Sequence, residues 1–184
     1  KAGNVYVTGK SNGSGTAWDI VTVKYDTIGT QQWTARYNGP VNGDDVGIAI
    51  VVDASQNSYI TGSSATQSTY SQGDSYNDDI VLVKYNASGV EQWQTRKNGT
   101  GNATDQAAAI AIDAGNNVFI AGSTENSGAY NYYVLKFTSN GILSAFDSYD
   151  GPVNADDRAT DIKVDGSGNV YVTGSSTGSG SYLD

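Results

Sequence analysis

Apolar and polar residues alternate along this chain in short runs, and the runs return in a fixed order. Gly3-Asn4-Val5-Tyr6-Val7-Thr8-Gly9 comes back as Gln56 to Gly62, as Asn116 to Gly122 and as Gly168 to Gly174. Asp19-Ile20-Val21-Thr22-Val23-Lys24-Tyr25 comes back as Asp79 to Tyr85 and as Asn131 to Phe137. A third block starts at Gly29, Gly89 and Gly141 and runs to Asn38-Gly39, Asn98-Gly99 and Asp150-Gly151; a fourth ends at Asp53, Asp113 and Asp165. Runs this short, with period-two alternation and many Val, Ile, Tyr and Thr, predict strands. Turn sequences separate them: Asp53 to Asn57, Asp113 to Asn117 and Asp165 to Asn169, then Asp26 to Gly29, Asn86 to Gly89 and Thr138 to Gly141. No stretch combines a helical period with caps, so essentially no helix is expected.

The register makes the repeat a structural unit. The second block recurs at offsets of 60 and 52 residues, as Lys24, Lys84 and Lys136 show. The length differences fall in the stretch between the first and second blocks, longest from Gly62 to Asp79. Four antiparallel strands per repeat describe a propeller blade. The pattern Asp-x-x-Gly-Asn-Val-Tyr-Val-Thr-Gly, as at Asp165–Gly174, followed by Asp-Ile-x-x-Val-Lys-Tyr and a Trp, as at Asp19–Tyr25 and Trp33, resembles the bacterial beta-propeller repeat SBBP. It resembles NHL-type blades more distantly. The resemblance runs over the whole chain. It implies a bacterial or archaeal cell-surface or extracellular setting and says almost nothing of chemistry.

By this likeness the innermost strand of each blade ends at Asp53, Asp113 or Asp165. The chain divides into 1–53, a first repeat without its own inner strand that runs into the inner strand of the next blade, then 54–113, 114–165 and a partial repeat, 166–184. Residues 166–184 repeat residues 1–19. The expected fold is all-β, about three and a third blades, an arc or incomplete ring. Propellers usually close with roughly 4–8 blades, so the expected partner is the rest of a larger propeller or another copy of the chain. Unpaired strand edges would otherwise invite aggregation.

Composition narrows the chemistry. Of 184 residues, 19 are acidic and 10 basic, a formal charge of −9, and the chain has no Cys, His or Met. Disulfides, thiolate or imidazole metal sites and histidine-based triads are excluded. The acidic balance disfavours a nucleic-acid partner, because phosphate binding needs clustered Lys and Arg. The longest apolar run, Val46 to Val52, is far below the roughly 18–20 residues of a membrane span. Without an initial Met or a signal-peptide pattern, the chain reads as a mature form or a fragment. The acidic residues are almost all Asp, Glu91 and Glu125 excepted, which suits turns better than helices.

Several recurring residues are candidates for more than folding. Lys24, Lys84 and Lys136 lie mid-strand among apolar neighbours, where a charge needs a partner. An ion pair with a recurring Asp, locking blade to blade, is the expected one, since three equivalent copies argue against a catalytic lysine. The pairs Asp44-Asp45, Asp78-Asp79 and Asp156-Asp157 fit turn and strand-entry caps, and also a calcium ion, a hard cation that takes oxygen ligands. Acid–base chemistry on a glycoside is a further use of paired carboxylates. Trp33 and Trp93 share one repeat position and suit packing between blades. Trp18, Tyr70, Tyr76 and Tyr130 lie in loops and are the candidate ligand-binding aromatics. Asp161 and Lys163 stand where earlier repeats carry Ala49, Val51, Ala109 and Ala111, which predicts a wetter face. Four glycosylation sequons, beginning at Asn12, Asn86, Asn98 and Asn102, are expected by chance in so Asn- and Ser/Thr-rich a chain. The functional expectation is a non-enzymatic scaffold or interaction surface that needs no cofactor beyond that calcium. The alternatives are a carbohydrate-binding module and a glycosidase or lyase propeller.

Overall fold

The computed structural model describes residues 3–66, 77–99 and 103–179. Tyr70 and Tyr76, two of the candidate aromatics, lie outside the described residues. Thirteen strands and no helix occur among those described. The first sheet contains β1 (Val5–Asn12), β2 (Trp18–Tyr25) and β3 (Gln31–Tyr37). The second contains β4 (Asp45–Val52), β5 (Ser58–Ala65), β6 (Asp78–Tyr85) and β7 (Glu91–Lys97). The third contains β8 (Asp105–Ile112), β9 (Val118–Asn126), β10 (Ala129–Phe137) and β11 (Leu143–Tyr149), and the last contains β12 (Arg158–Val164) and β13 (Val170–Ser175). Every pairing is antiparallel between strands consecutive in sequence. Two complete blades thus stand between two partial ones, and the sheets do not close into a ring.

The repeat keeps its register in space. Lys24 pairs with Trp33 and Lys84 with Trp93. The third repeat sets Lys136 against Ala145, where the others carry Trp. Each inner strand bulges once, between Gly47 and Ala49, Ala107 and Ala109, and Ala159 and Asp161. The bulge explains the glycine that ends the Tyr-x-Thr-Gly signature. A Cβ on Gly62, Gly122 or Gly174 would overlap the carbonyl oxygen of Val46, Gln106 or Arg158 on the inner strand. These carbonyls are backbone and cannot swing aside. Gly9 holds the same repeat position in a sheet without an inner strand, and a Cβ there meets nothing within 4 Å.

No blade contains a core; the cores lie between blades. Ile20, Ala35 and Tyr37 of blade 1 pack on Ile60, Val81, Val83 and Tyr85 of blade 2. Tyr59, Ile80 and Leu82 of blade 2 pack on Val118, Ile120, Tyr133, Leu135 and Phe137 of blade 3. Ala109, Ala111, Phe119 and Ala121 of blade 3 pack on Ala159 and Ile162 of blade 4. Alternation along each strand thus gives every blade a leading face and a trailing face, both apolar. Among the described residues no blade packs on the trailing face of blade 1. Val5 and Val7 there are 53% and 51% exposed, whereas Ser58 and Ile60, their repeat equivalents, are 0% exposed. The leading face of blade 4 is open too and carries exposed Tyr171 beside the Lys163–Asp161 ion pair.

Candidate functional site

The two ends of the blades differ in kind. At one end, every link is a short turn held by an Asx or related cap. Asp53 Oδ1 accepts from the backbone N–H groups of Ser55 and Asn57, and Oδ2 from Asn57 Nδ2 and Tyr59 Oη. Asp113 does the same with Gly115 and Asn117, and Asp165 with Ser167, Asn169 and Tyr171. Burial opposes ionisation of Asp113, but the three N–H donors outweigh it and hold its carboxyl below the usual range, with Lys136 helping through space. Asp26 Oδ1 and Asn86 Oδ1 cap the other turns at this end by accepting from the N–H groups of Ile28 and Thr30, and of Ser88 and Val90. Among the described residues, a cavity of about 550 Å³ opens at this end between three successive turns, lined by residues drawn from the stretches 3–6, 52–56 and 112–116.

The recurring lysines tie this end together across blades. Lys24 Nζ donates to Gln56 Oε1 at 3.0 Å and to the Ala87 carbonyl of the following blade at 3.2 Å. Trp33 Nε1 donates to the same carbonyl, and its ring would be struck by any Cβ on Gly89, at 2.6 Å. One blade on, Lys84 reaches the Ser139 carbonyl, the position equivalent to Ala87, and Trp93 lies against Gly141 in the same way. The ammonium groups of Lys24 and Lys84 also face the rings of Tyr6 and Tyr59, and that of Lys136 faces Phe119. The bond between blades is therefore cation to carbonyl, while the cation-to-ring contacts lie within each blade. The expected carboxylate partner is replaced, because the nearby Asp oxygens are already spent on turn N–H groups.

At the other end the links vary: 13–17, 66–77 and the two residues Ser127-Gly128, both with positive φ, as a tight hairpin requires. Here lie the acidic pairs. Asp44 Oδ1 accepts from the Trp18 N–H, and Asp156 Oδ1 from the Tyr130 N–H. Asp45, Asp105 and Asp157 cap the inner strands by accepting from Gly39, Gly99 and Gly151. All three are essentially buried. Burial is the main cause that pushes the Asp45 and Asp105 carboxyls up; the neighbouring hydroxyls of Ser64 and Thr124 and the glycine N–H groups offset it in part. Asp79 is raised by burial too, against the pull of Arg96, which it meets at 3.3 Å, and Asp78 opens β6 beside it. No group of three or more acidic residues placed to hold a metal ion occurs among the described residues.

Trp18 and Tyr130 occupy one repeat position in blades 1 and 3, and each ring is faced by a cation. Lys10 Nζ lies 5.0 Å from the Trp18 ring centroid, and the Arg158 guanidinium lies 3.8 Å from that of Tyr130. Arg158 also pairs with Asp156. Trp18 remains 38% exposed. The two aromatics, expected in loops, instead stand in strands: Trp18 opens β2 and Tyr130 is the second residue of β10. Sequence reasoning missed their cations, because Lys10 meets Trp18 only across the β1–β2 pairing and Arg158 reaches Tyr130 from the next blade. It also missed the cavity, which only the alignment of three separate turns creates.

Residues 153–180 match the beta-propeller repeat SBBP. No curated protein sequence matches the chain. Among solved structures, the chain resembles the periplasmic gluconolactonase PpgL of Pseudomonas aeruginosa, with a TM-score of 0.55 and 13% identity over 93% of this chain. The match spans 47% of that chain, so this one covers about half of its neighbour's length. At that identity the likeness shows the fold. It also corrects one expectation: the blade architecture was read as belonging to a non-enzymatic module, and this neighbour is an enzyme. Lack of His and Cys removes particular mechanisms, not catalysis as such, since a chain with 17 Asp keeps its carboxylates.

Proposed function

We propose that the chain is a section of an extracellular or cell-surface β-propeller whose variable-loop end is a docking surface for a protein partner. The observation that supports this is the repeated aromatic–cation pair of blades 1 and 3, Trp18 with Lys10 and Tyr130 with Arg158. Trp, Tyr and Arg are the side chains that dominate binding energy at protein interfaces. The stacked blades beneath hold them in fixed geometry, which lowers the ordering cost of association. The arc itself is completed by further blades of the same type or by a second copy, for which the apolar trailing face of blade 1 is the fitting surface.

The test places a photo-crosslinking residue at Trp18, and separately at Ile142 on the turn end, in the chain produced by its own cells. A discrete adduct from position 18 and none from position 142 is the expected result. Equal adducts from both, or none from 18, overturn the proposal. A carbohydrate-binding role is the second reading, favoured by the exposure of Trp18, since exposed aromatics stack on sugars. Binding on a glycan array that disappears in Trp18→Ala would select it. Incubation with gluconolactone, the compound class in the neighbour's name, reads catalysis directly, and turnover would move the functional site to the carboxylates.

A further inference from the structure

The cavity at the turn end carries an inference independent of the loop-end reading. Its volume, about 550 Å³, lies within the range of small-molecule sites, roughly 300–1,000 Å³. Two of its lining residues have unusual backbones. Gln56 and Asn116 adopt φ of 66° and 61°, at the turn position where the first and last repeats carry Gly3 and Gly168. A side chain in this left-handed region costs about 1 kcal/mol where glycine costs little, more readily borne by Asn than by Gln. Strain of this kind concentrates at ligand sites. Glycine would serve the turn equally well, so the amides have another use.

Their polar atoms are partly unspent. Gln56 Oε1 accepts from Asn4 Nδ2 and Lys24 Nζ, both at 3.0 Å. That fixes the amide and leaves Nε2 as a donor without a partner among the described residues. The Asn116 amide makes no side-chain hydrogen bond there, and Asn4 Oδ1 accepts none. These groups offer donors and acceptors without net charge. Val52, Ile112 and the Tyr6 ring add apolar surface. Among the described residues no cation lines the cavity, and Lys24 beside it is engaged. Asp53 and Asp113 line it, but their oxygens are committed to their own turns, and their negative charge repels anions.

We propose that this cavity binds a neutral polyhydroxylated ligand, a pyranose sugar unit, through the side-chain amides of Gln56, Asn116 and Asn4. The amides match the alternating donors and acceptors of sugar hydroxyls, and the apolar groups match the C–H face of the ring. Titration of the labelled chain with glucose and maltose, followed by NMR, is expected to give saturable shifts at residues 52–56 and 112–116. Glucuronate serves as the anionic control and is expected to bind more weakly, because Asp53 and Asp113 line the cavity. Gln56→Gly and Asn116→Gly copy the residue at Gly3 and Gly168, so they relieve the backbone. Asn116→Gly should keep or raise the melting temperature, whereas Gln56→Gly also gives up the bonds from Asn4 and Lys24 and should lower it somewhat; each should weaken sugar binding about tenfold, the loss of roughly one or two hydrogen bonds. Absence of saturable shifts with both neutral sugars overturns the proposal. So does equal or tighter binding of glucuronate, which would show that an anionic group rather than hydroxyls is read, and so does unchanged affinity in both folded variants.

Discussion

The glycine that ends the first block of each repeat, after Tyr-x-Thr in three repeats and after Phe-Ile-Ala at Gly122, supplies a paired test in which one repeat position gives opposite outcomes. In Gly122→Ala the new Cβ overlaps the Gln106 carbonyl oxygen and lies 3.1 Å from both Gln106 C and Ala107 Cα, all backbone atoms of β8. Carbon contacts are comfortable near 3.5–4.0 Å, so β8 must withdraw by about 1 Å at its bulge. Overpacking of this kind costs about 1–3 kcal/mol. Loosening one or two ladder hydrogen bonds adds about 1 kcal/mol each. The expected loss is therefore about 2–5 kcal/mol, or a fall in Tm of roughly 4–20 °C for a chain this long. In Gly9→Ala nothing lies within 4 Å, and removing a strand glycine gains about 0.5–1 kcal/mol. Urea denaturation of the two variants beside the wild type reads both values. A Gly122→Ala protein as stable as wild type would refute the close approach of the bulge. Equal destabilisation by Gly9→Ala would show that β1 has an inner strand beside it in solution.

Other consequences follow from the same contacts. Trp93→Ala strips the ring from Tyr59 and Gly141 and should cost about 2–4 kcal/mol in chemical denaturation, whereas Trp18→Ala should cost under 1 kcal/mol. Lys24→Met leaves the Ala87 carbonyl with Trp33 Nε1 alone and should lower stability by about 1–2 kcal/mol, with no dependence on removing any single Asp. The raised carboxyls of Asp45 and Asp105 favour the fold in their neutral form. Their contribution is full below the unfolded carboxyl range and is lost as pH rises through the raised folded value, so Asp105→Asn should be neutral or stabilising at pH 7. Asp113 has the opposite sign: its contribution is present above the unfolded range and lost as pH falls through the lowered folded value. Asp113→Asn should therefore destabilise at pH 7 and flatten the acid limb of a Tm–pH curve. A chelator should leave Tm unchanged, because Asp44, Asp45, Asp156 and Asp157 already accept from N–H donors; a fall on chelation would restore calcium to these pairs.

The strands were legible because period-two alternation and turn residues agree at every repeat, and the offsets of Lys24, Lys84 and Lys136 tie them to one blade. The role of these lysines was legible only in part. Burial demanded a partner, but sequence cannot tell a carboxylate from the Ala87 carbonyl two strands and one blade away. The carboxylates of Asp53 and Asp113 looked available for the same reason, until the geometry of their turns showed four and three donors on them. The signal for the cavity was present as a contrast between Gln56 and Asn116 on one side and Gly3 and Gly168 on the other. That contrast gains meaning only with a positive φ attached.

Cores that lie between blades rather than inside them make this molecule behave as a row of nearest neighbours. Each interface ties two sheets and no more, so protection against hydrogen exchange should be graded along the row. The amides of β5, β6, β8 and β9, clamped from both sides, should exchange last. Those of β1 and β13, each with one face open, should exchange at rates set by local fraying rather than by global unfolding. Lengthening the row by one blade would turn a frayed end into an interior, which makes every added repeat worth more to its neighbour than to itself.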